Sequence, residues 1–144
     1  MAELVKVALD AMGGDNAPGE IVKGAVEAVQ ACDNLMVYAV GDETAVKAEL
    51  AKYTYDTSRI EVVHASEVIE NAEPPVNAIR KKKDSSIVKA MMMVKNKECD
   101  AFVSAGSTGA VLVGGQVLVG RIKGVERPPL APLIPTKTGF SLII

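Results

Sequence analysis

Short apolar runs alternate with stretches of helical period along the whole chain. Val5 to Leu9 is the first run. Pro18 to Ala31 follows, with Ile21, Val22, Ala25, Val26 and Val29 at 3.6-type spacing and Pro18 suited to a first helical turn. Met36 to Val40 predicts a second strand, Asp42 a cap for a helix through Ala45 to Lys52, and Ile60 to Val63 a third strand. Glu73 to Lys97 reads as helix in two pieces, with Pro75 early in the first and Asp84-Ser85 capping the second. A fourth strand, Ala101 to Val103, leads through Ser107-Thr108 into a helix from Ala110 to Val119. Its Gly114-Gly115 pair lowers helix propensity but permits close packing. Leu130 to Ile134 and Phe140 to Ile144, separated by Pro135 to Gly139, read as an antiparallel hairpin. Such alternation implies an α/β fold with a mixed, mostly parallel sheet.

At 144 residues and 49% hydrophobic content the chain can bury one sizeable core, which suggests a single domain. A net charge of -2 gives no global positive field, so a nucleic-acid partner is not expected and anion chemistry must come from local clusters. Cys32 and Cys99 show neither metal-ligand spacing nor the density of a disulfide scaffold, and both read as reduced thiols. The scattered acidic residues make a metal site a poor expectation too. No segment reaches the roughly 18 apolar residues of a membrane span, and the start lacks a signal-peptide pattern. The expectation is a soluble, cytoplasmic protein. The final run stops inside an apolar strand at Ile144, a sticky edge that complete domains usually avoid, which favours truncation over a natural terminal strand.

Two glycine-bearing segments carry candidate chemistry. Asp10-Ala-Met-Gly-Gly-Asp15 follows the first strand and precedes a helix, where open α/β sheets place their ligand sites. Gly13 and Gly14 let backbone approach a phosphate, and the alternative is a simple tight turn with Asp15 solvated. The spacing is neither a dinucleotide fingerprint nor a nucleotide-triphosphate loop. Ser104-Ala-Gly-Ser-Thr-Gly-Ala110 joins a strand to a helix N-terminus with small residues, hydroxyls and free amides. It reads as an anion site or as a helix cap at Ser107 or Thr108.

Three further features stay open. Arg80-Lys-Lys-Lys83 is either a solvated helix end or a docking patch for an acidic partner or phosphate. The single histidine, His64, suits a structural role or that of a base, and nothing places a base and carboxylate around a serine in the manner of a triad. Arg121 or Arg127 could clamp a phosphate or hold their loop through backbone carbonyls.

Taken in order, Asp10 to Asp15 with Ala17-Pro18, His64-Ala-Ser-Glu-Val-Ile69, Glu73-Pro-Pro-Val76, Arg80 to Ser86, Asp100-Ala-Phe-Val-Ser-Ala-Gly106 and Gly120-Arg-Ile-Lys-Gly124 resemble the bacterial phosphate acyltransferases of phospholipid synthesis. The likeness runs from residue 4 to residue 144. It implies a three-layer Rossmann-like fold similar to phosphotransacetylases and isopropylmalate dehydrogenases, and a homodimer. It also implies that residues 1–144 form the N-terminal portion of a longer chain. The implied reaction moves a fatty acyl group from acyl carrier protein to inorganic phosphate, with no cofactor.

On that resemblance Gly13, Gly14, Asp15, Ser104, Ala105, Gly106, Ser107, Thr108 and Gly109 line the phosphate and thioester end. Arg80, Lys81, Lys82 and Lys83 lie near the carrier protein, and any peripheral membrane contact lies beyond Ile144. Positioning groups rather than a protein nucleophile are expected, because phosphate can itself attack a thioester when oriented and desolvated. Two positions depart from the family pattern: Asn16 where histidine is frequent, and Ser107 where asparagine is usual. Transfer from coenzyme A, a non-catalytic binding or dimerising domain, and a nucleotide-binding module are the competing readings.

Overall fold

The computed structural model describes residues 3–143; the end of the expected last strand, Ile144, lies outside them. Four strands form one parallel sheet: β1 (Val5–Asp10), β2 (Leu35–Gly41), β3 (Ile60–His64) and β4 (Ala101–Val103), in the order β3-β2-β1-β4. Helices cover both faces, which is why these strands are near-continuous apolar runs. On one face, α1 (Gly19–Ala31) and α2 (Glu43–Leu50) pack Val22, Val26, Val29, Val46 and Leu50 against Val37, Ala39 and Ile60. Successive strand residues point to opposite faces, so Ala8 and Val40 enter the other layer with Ala90 of α4 (Ser86–Lys95). There α3 (Pro75–Lys81) and α5 (Thr108–Gly114) join α4 around Ile79, Ile87, Met91 and Ala110. Ile87 and Met91 are almost completely buried, each contributing about 1.5–3 kcal/mol through area removed from water. The architecture is α/β, three-layered and Rossmann-like.

Local chemistry explains most element boundaries. The Asp42 carboxylate accepts the Ala45 N–H at 2.7 Å and the Ser85 hydroxyl accepts that of Val88, so α2 and α4 start where caps are available. Pro75 occupies the opening of α3, where its missing N–H is harmless. Pro18 sits one residue outside α1, at its N-cap, rather than in the first turn.

Two expectations at the C-terminal end need correction. The α-helix starting at Thr108 holds only to Gly114, then widens into a π-helical turn over Gly115–Val119. Paired glycines supply no side-chain packing to hold the tighter geometry there. The hairpin forms, but β5 (Leu133–Thr136) and β6 (Gly139–Leu142) are joined by Lys137 and Thr138 alone. Pro135 therefore lies within a strand opposite Phe140 rather than in the loop, tolerated because both strands of a two-stranded ribbon are edges. This ribbon is a separate sheet, so all antiparallel pairing lies outside the main one.

The chain runs outward from β1 through β2 to β3, then returns to the far side of β1 as β4. The reversal falls between β1 and β4. Open α/β sheets bind ligands at such switch points, outside the carboxyl ends of the strands.

Candidate active site

Both glycine-bearing turns emerge at that switch point, one from each of the adjacent strands β1 and β4. Asp10 ends β1 almost fully buried, and its carboxylate is spent on the turns. Oδ1 accepts the Met12 N–H at 3.2 Å, and Oδ2 accepts the Ser104 hydroxyl at 2.7 Å. Ser104 Oγ in turn accepts the Gly106 N–H at 3.0 Å. A buried carboxylate needs such partners, since leaving its oxygens bare costs far more than the bonds return.

The two turns touch. A Cβ built on Gly13 would stand 2.8 Å from the Gly106 nitrogen and 2.3 Å from Asp10 Oδ2. Gly14, at φ +107°, takes a left-handed backbone that other residues rarely adopt, and its Cα faces Ala105. Glycine at position 13 is therefore a condition of the approach, and at position 14 of the backbone turn itself.

The amides divide into two sets. Those of Met12, Gly13, Gly106 and Ala110 are taken up by the Asp10 carboxylate, the Asp10 carbonyl, the Ser104 hydroxyl and the Ser107 hydroxyl respectively, so Gly13, expected to line a phosphate, supplies no free donor. Those of Gly14, Asp15, Ser107, Thr108 and Gly109 have no hydrogen-bond partner among the described residues. Ser107 thus caps α5 through its side chain while its own N–H stays free. Gly106 contributes closeness rather than a donor.

A polar cleft of about 390 Å³ opens beside Gly106 to Gly109, with Asn71, Glu73 and Pro75 on its other side. Asn71 and Glu73 were not foreseen from the sequence. Nothing in a loop ahead of α3 announces that it will fold against a turn some thirty residues later. The Lys82 ammonium bonds Glu73 Oε1 at 2.5 Å and the Val68 carbonyl at 2.7 Å. Lys82, then the Glu70 N–H, holds the Glu73 carboxyl below the usual carboxylate range. An anion in the cleft would therefore meet Glu73 with a cation bonded to it, which limits repulsion.

The other sequence candidates separate. Arg80, Lys81 and Lys83 are exposed, whereas Lys82 is half-buried in its pair with Glu73. His64 is exposed at the end of β3, its Nδ1 accepting the Glu43 N–H at 3.4 Å and its carbonyl accepting Lys89 Nζ at 2.6 Å. Arg121 donates to the Glu126 carbonyl at 2.5 Å, so of the two readings of that residue the structure shows the loop-holding one. Cys32 and Cys99 are both free thiols; burial, then the charges of Glu98 and Asp100, pushes the Cys99 thiol up. Among the described residues no three His, Cys, Asp or Glu side chains converge on a metal position, and no helix is long and apolar enough to cross a membrane.

A parallel, doubly covered sheet with two interlocked glycine turns at its switch point defines an α/β domain of the open, doubly wound class, in which ligand sites lie outside strand ends. The comparisons narrow that class. A family model described as "Fatty acid synthesis protein" matches residues 5–144, and the chain belongs to that family. It is 52% identical over 140 residues to the phosphate acyltransferase of Clostridium beijerinckii, which covers 97% of this chain and 42% of that protein. The phosphate acyltransferase of Clostridium novyi is 51% identical over the same coverage, and that of Dictyoglomus turgidum 51% identical over 97% of this chain and 41% of its own. The chain thus spans about 42% of the length of the curated relatives it matches.

Proposed function

We propose that these residues form the phosphate end of an acyltransferase site, acting in a chain of the relatives' length. The substrates are a fatty acyl thioester carried on acyl carrier protein and inorganic phosphate. The observation that carries this reading is the interlock of the two turns: Ser104 bonded to Asp10 and Gly13 against Gly106 bring the free amides of Gly14, Asp15 and Ser107 to Gly109 to one end of the sheet. Backbone donors fixed in this way suit a phosphoryl group.

The reaction needs little covalent help from the protein. An oxygen of HPO₄²⁻ attacks the thioester carbon, the C–S bond breaks, the departing thiolate takes the phosphate proton, and acyl phosphate and free thiol result. Orientation and management of negative charge are what the turns supply. Exposed Arg80, Lys81 and Lys83 are the docking patch for the acidic carrier, with Lys82 held back by Glu73. A homodimer belongs to the same proposal and is read by sedimentation.

The test is turnover by a chain of the relatives' length carrying these residues, with acyl carrier protein and coenzyme A compared as donors. No acyl phosphate from either donor sinks the reading, and product from coenzyme A alone replaces the carrier. Reversing Arg80, Lys81 and Lys83 to Glu is expected to raise KM for the carrier-bound substrate while leaving kcat and the coenzyme A reaction close to their starting values.

A further inference from the structure

The two walls of the cleft at Gly106 to Gly109 differ in what they offer a ligand. One brings donors: the N–H groups of Ser107, Thr108 and Gly109 have no partner among the described residues. The other brings Glu73, half-buried and bonded to protein through one carboxylate oxygen only. Its Oε1 accepts both the Glu70 N–H at 2.8 Å and the Lys82 ammonium at 2.5 Å. Its Oε2 has no partner among the described residues. The walls meet at Pro75, whose Cγ would lie 2.6 Å from a Cβ built on Gly109, so the loop carrying Glu73 is seated directly against the donor turn.

We propose that Glu73 is the specificity-determining residue of the phosphate end: Oε2 accepts the O–H of a hydrogen phosphate ion, so the cleft takes a protonated tetrahedral oxyanion and refuses an unprotonated one such as sulfate. The inference rests on the phosphate reading above and adds how that anion is told from its isosteres. Near neutral pH hydrogen phosphate carries an O–H and sulfate none, although the two dianions match in shape and charge. An ionised carboxylate accepts hydrogen bonds and cannot donate them. It therefore gains a bond from hydrogen phosphate and meets only a like charge in sulfate. Asn71 and Thr108 also border the cleft, but an amide or a hydroxyl can turn a donor to either anion and cannot tell them apart. Lys82, bonded to Oε1, keeps Glu73 ionised and offsets part of its repulsion of the anion. With the proton held at Glu73, the bare oxygens of the ion are left to the amides and to the thioester.

Calorimetric titration of a chain of the relatives' length with phosphate, arsenate and sulfate tests this, at about pH 8, above the second phosphate ionisation. Arsenate shares the O–H of phosphate, and sulfate shares its charge and shape. Wild type is expected to bind phosphate and arsenate alike and sulfate about 100-fold more weakly, the worth of a hydrogen bond to a charged group. Glu73→Gln keeps an oxygen for Glu70 and Lys82 and puts an amide donor in place of Oε2. Its phosphate-to-sulfate ratio is expected to fall below about tenfold, with sulfate bound more tightly than by wild type. A role confined to holding the loop would weaken both anions together and leave that ratio unchanged.

Phosphate and sulfate bound by wild type within about tenfold of each other overturn the assignment while the anion site stands. A discrimination that survives in Glu73→Gln overturns it as well, since another group then reads the proton. Arsenate turned away along with sulfate gives the selection to size rather than protonation and overturns the proposal. Binding of none of the three anions removes the phosphate reading and this one together.

Discussion

Ser104 donates its hydroxyl proton to the buried carboxylate of Asp10 at 2.7 Å, tying together two turns that lie 94 residues apart in sequence. The same oxygen receives the Gly106 N–H, so one side chain orders both its own loop and its neighbour's. Ser104→Ala removes both bonds and leaves an Asp10 oxygen short of a partner. The expected cost is about 1–3 kcal/mol, read from urea denaturation midpoints, together with weaker phosphate binding. An unchanged midpoint would show that the bond contributes nothing to holding the turns.

Gly13 is the close-approach position. Gly13→Ala would drive a methyl into Asp10 Oδ2 and the Gly106 nitrogen, and because one of those is backbone the two turns must separate. A loss of about 1–3 kcal/mol and of phosphate binding is expected. Gly24→Ala, on the exposed side of α1 with nothing within 4 Å, is the matched control and is expected to gain about 0.5–1 kcal/mol. Equal effects from the two substitutions would remove the steric account.

Gly114, the last residue of α5, and Gly115, the first of the π-helical turn, are expected to respond in opposite directions. A Cβ on Gly114 would lie 2.4 Å from Met91 Sδ, inside a packed cluster, so Gly114→Ala is expected to lower the thermal midpoint. Gly115→Ala meets no neighbour and is expected to raise it, by the helix-propensity difference of about 0.5–1 kcal/mol.

Asp84 gives a pH dependence of defined sign. Lys89, then the Ser66 hydroxyl and N–H, holds its carboxyl well below the ordinary carboxylate range. A depressed folded-state pKa means the contribution is complete above the unfolded value of about 3.9 and is lost as pH falls below it toward the folded value. Asp84→Asn is therefore expected to flatten the acid limb of a stability–pH curve below about pH 4 and to leave the shape above pH 5 unchanged. A mutant curve parallel to wild type in acid would exclude this residue as a contributor.

Much of the fold was legible because its signals are local. The Ile21 to Val29 period, the Asp42 and Ser85 caps and the apolar runs of β1 to β4 each constrain a few neighbouring residues, and the structure places helices and strands there. The resemblance carried the family, which the matched relatives bear out. What stayed hidden depends on distant contacts. Lys82 could not be separated from Arg80, Lys81 and Lys83 in a run of four cations, because its difference is Glu73 and the Val68 carbonyl across a fold. Nor did the Gly114-Gly115 pair reveal that one glycine meets Met91 and the other open space. Pro135 misled for a related reason: proline signals a turn locally, and its place opposite Phe140 depends on a ribbon with two free edges.

The β5–β6 ribbon makes no ladder with the four parallel strands, and every residue in it is exposed. Two-stranded ribbons by themselves are marginal in water. Deuterium uptake should therefore split into two populations, with amides of Ile134 and Thr136 labelling through local opening long before those of Val37 and Val40, whose release requires the whole helix-covered sheet to come apart.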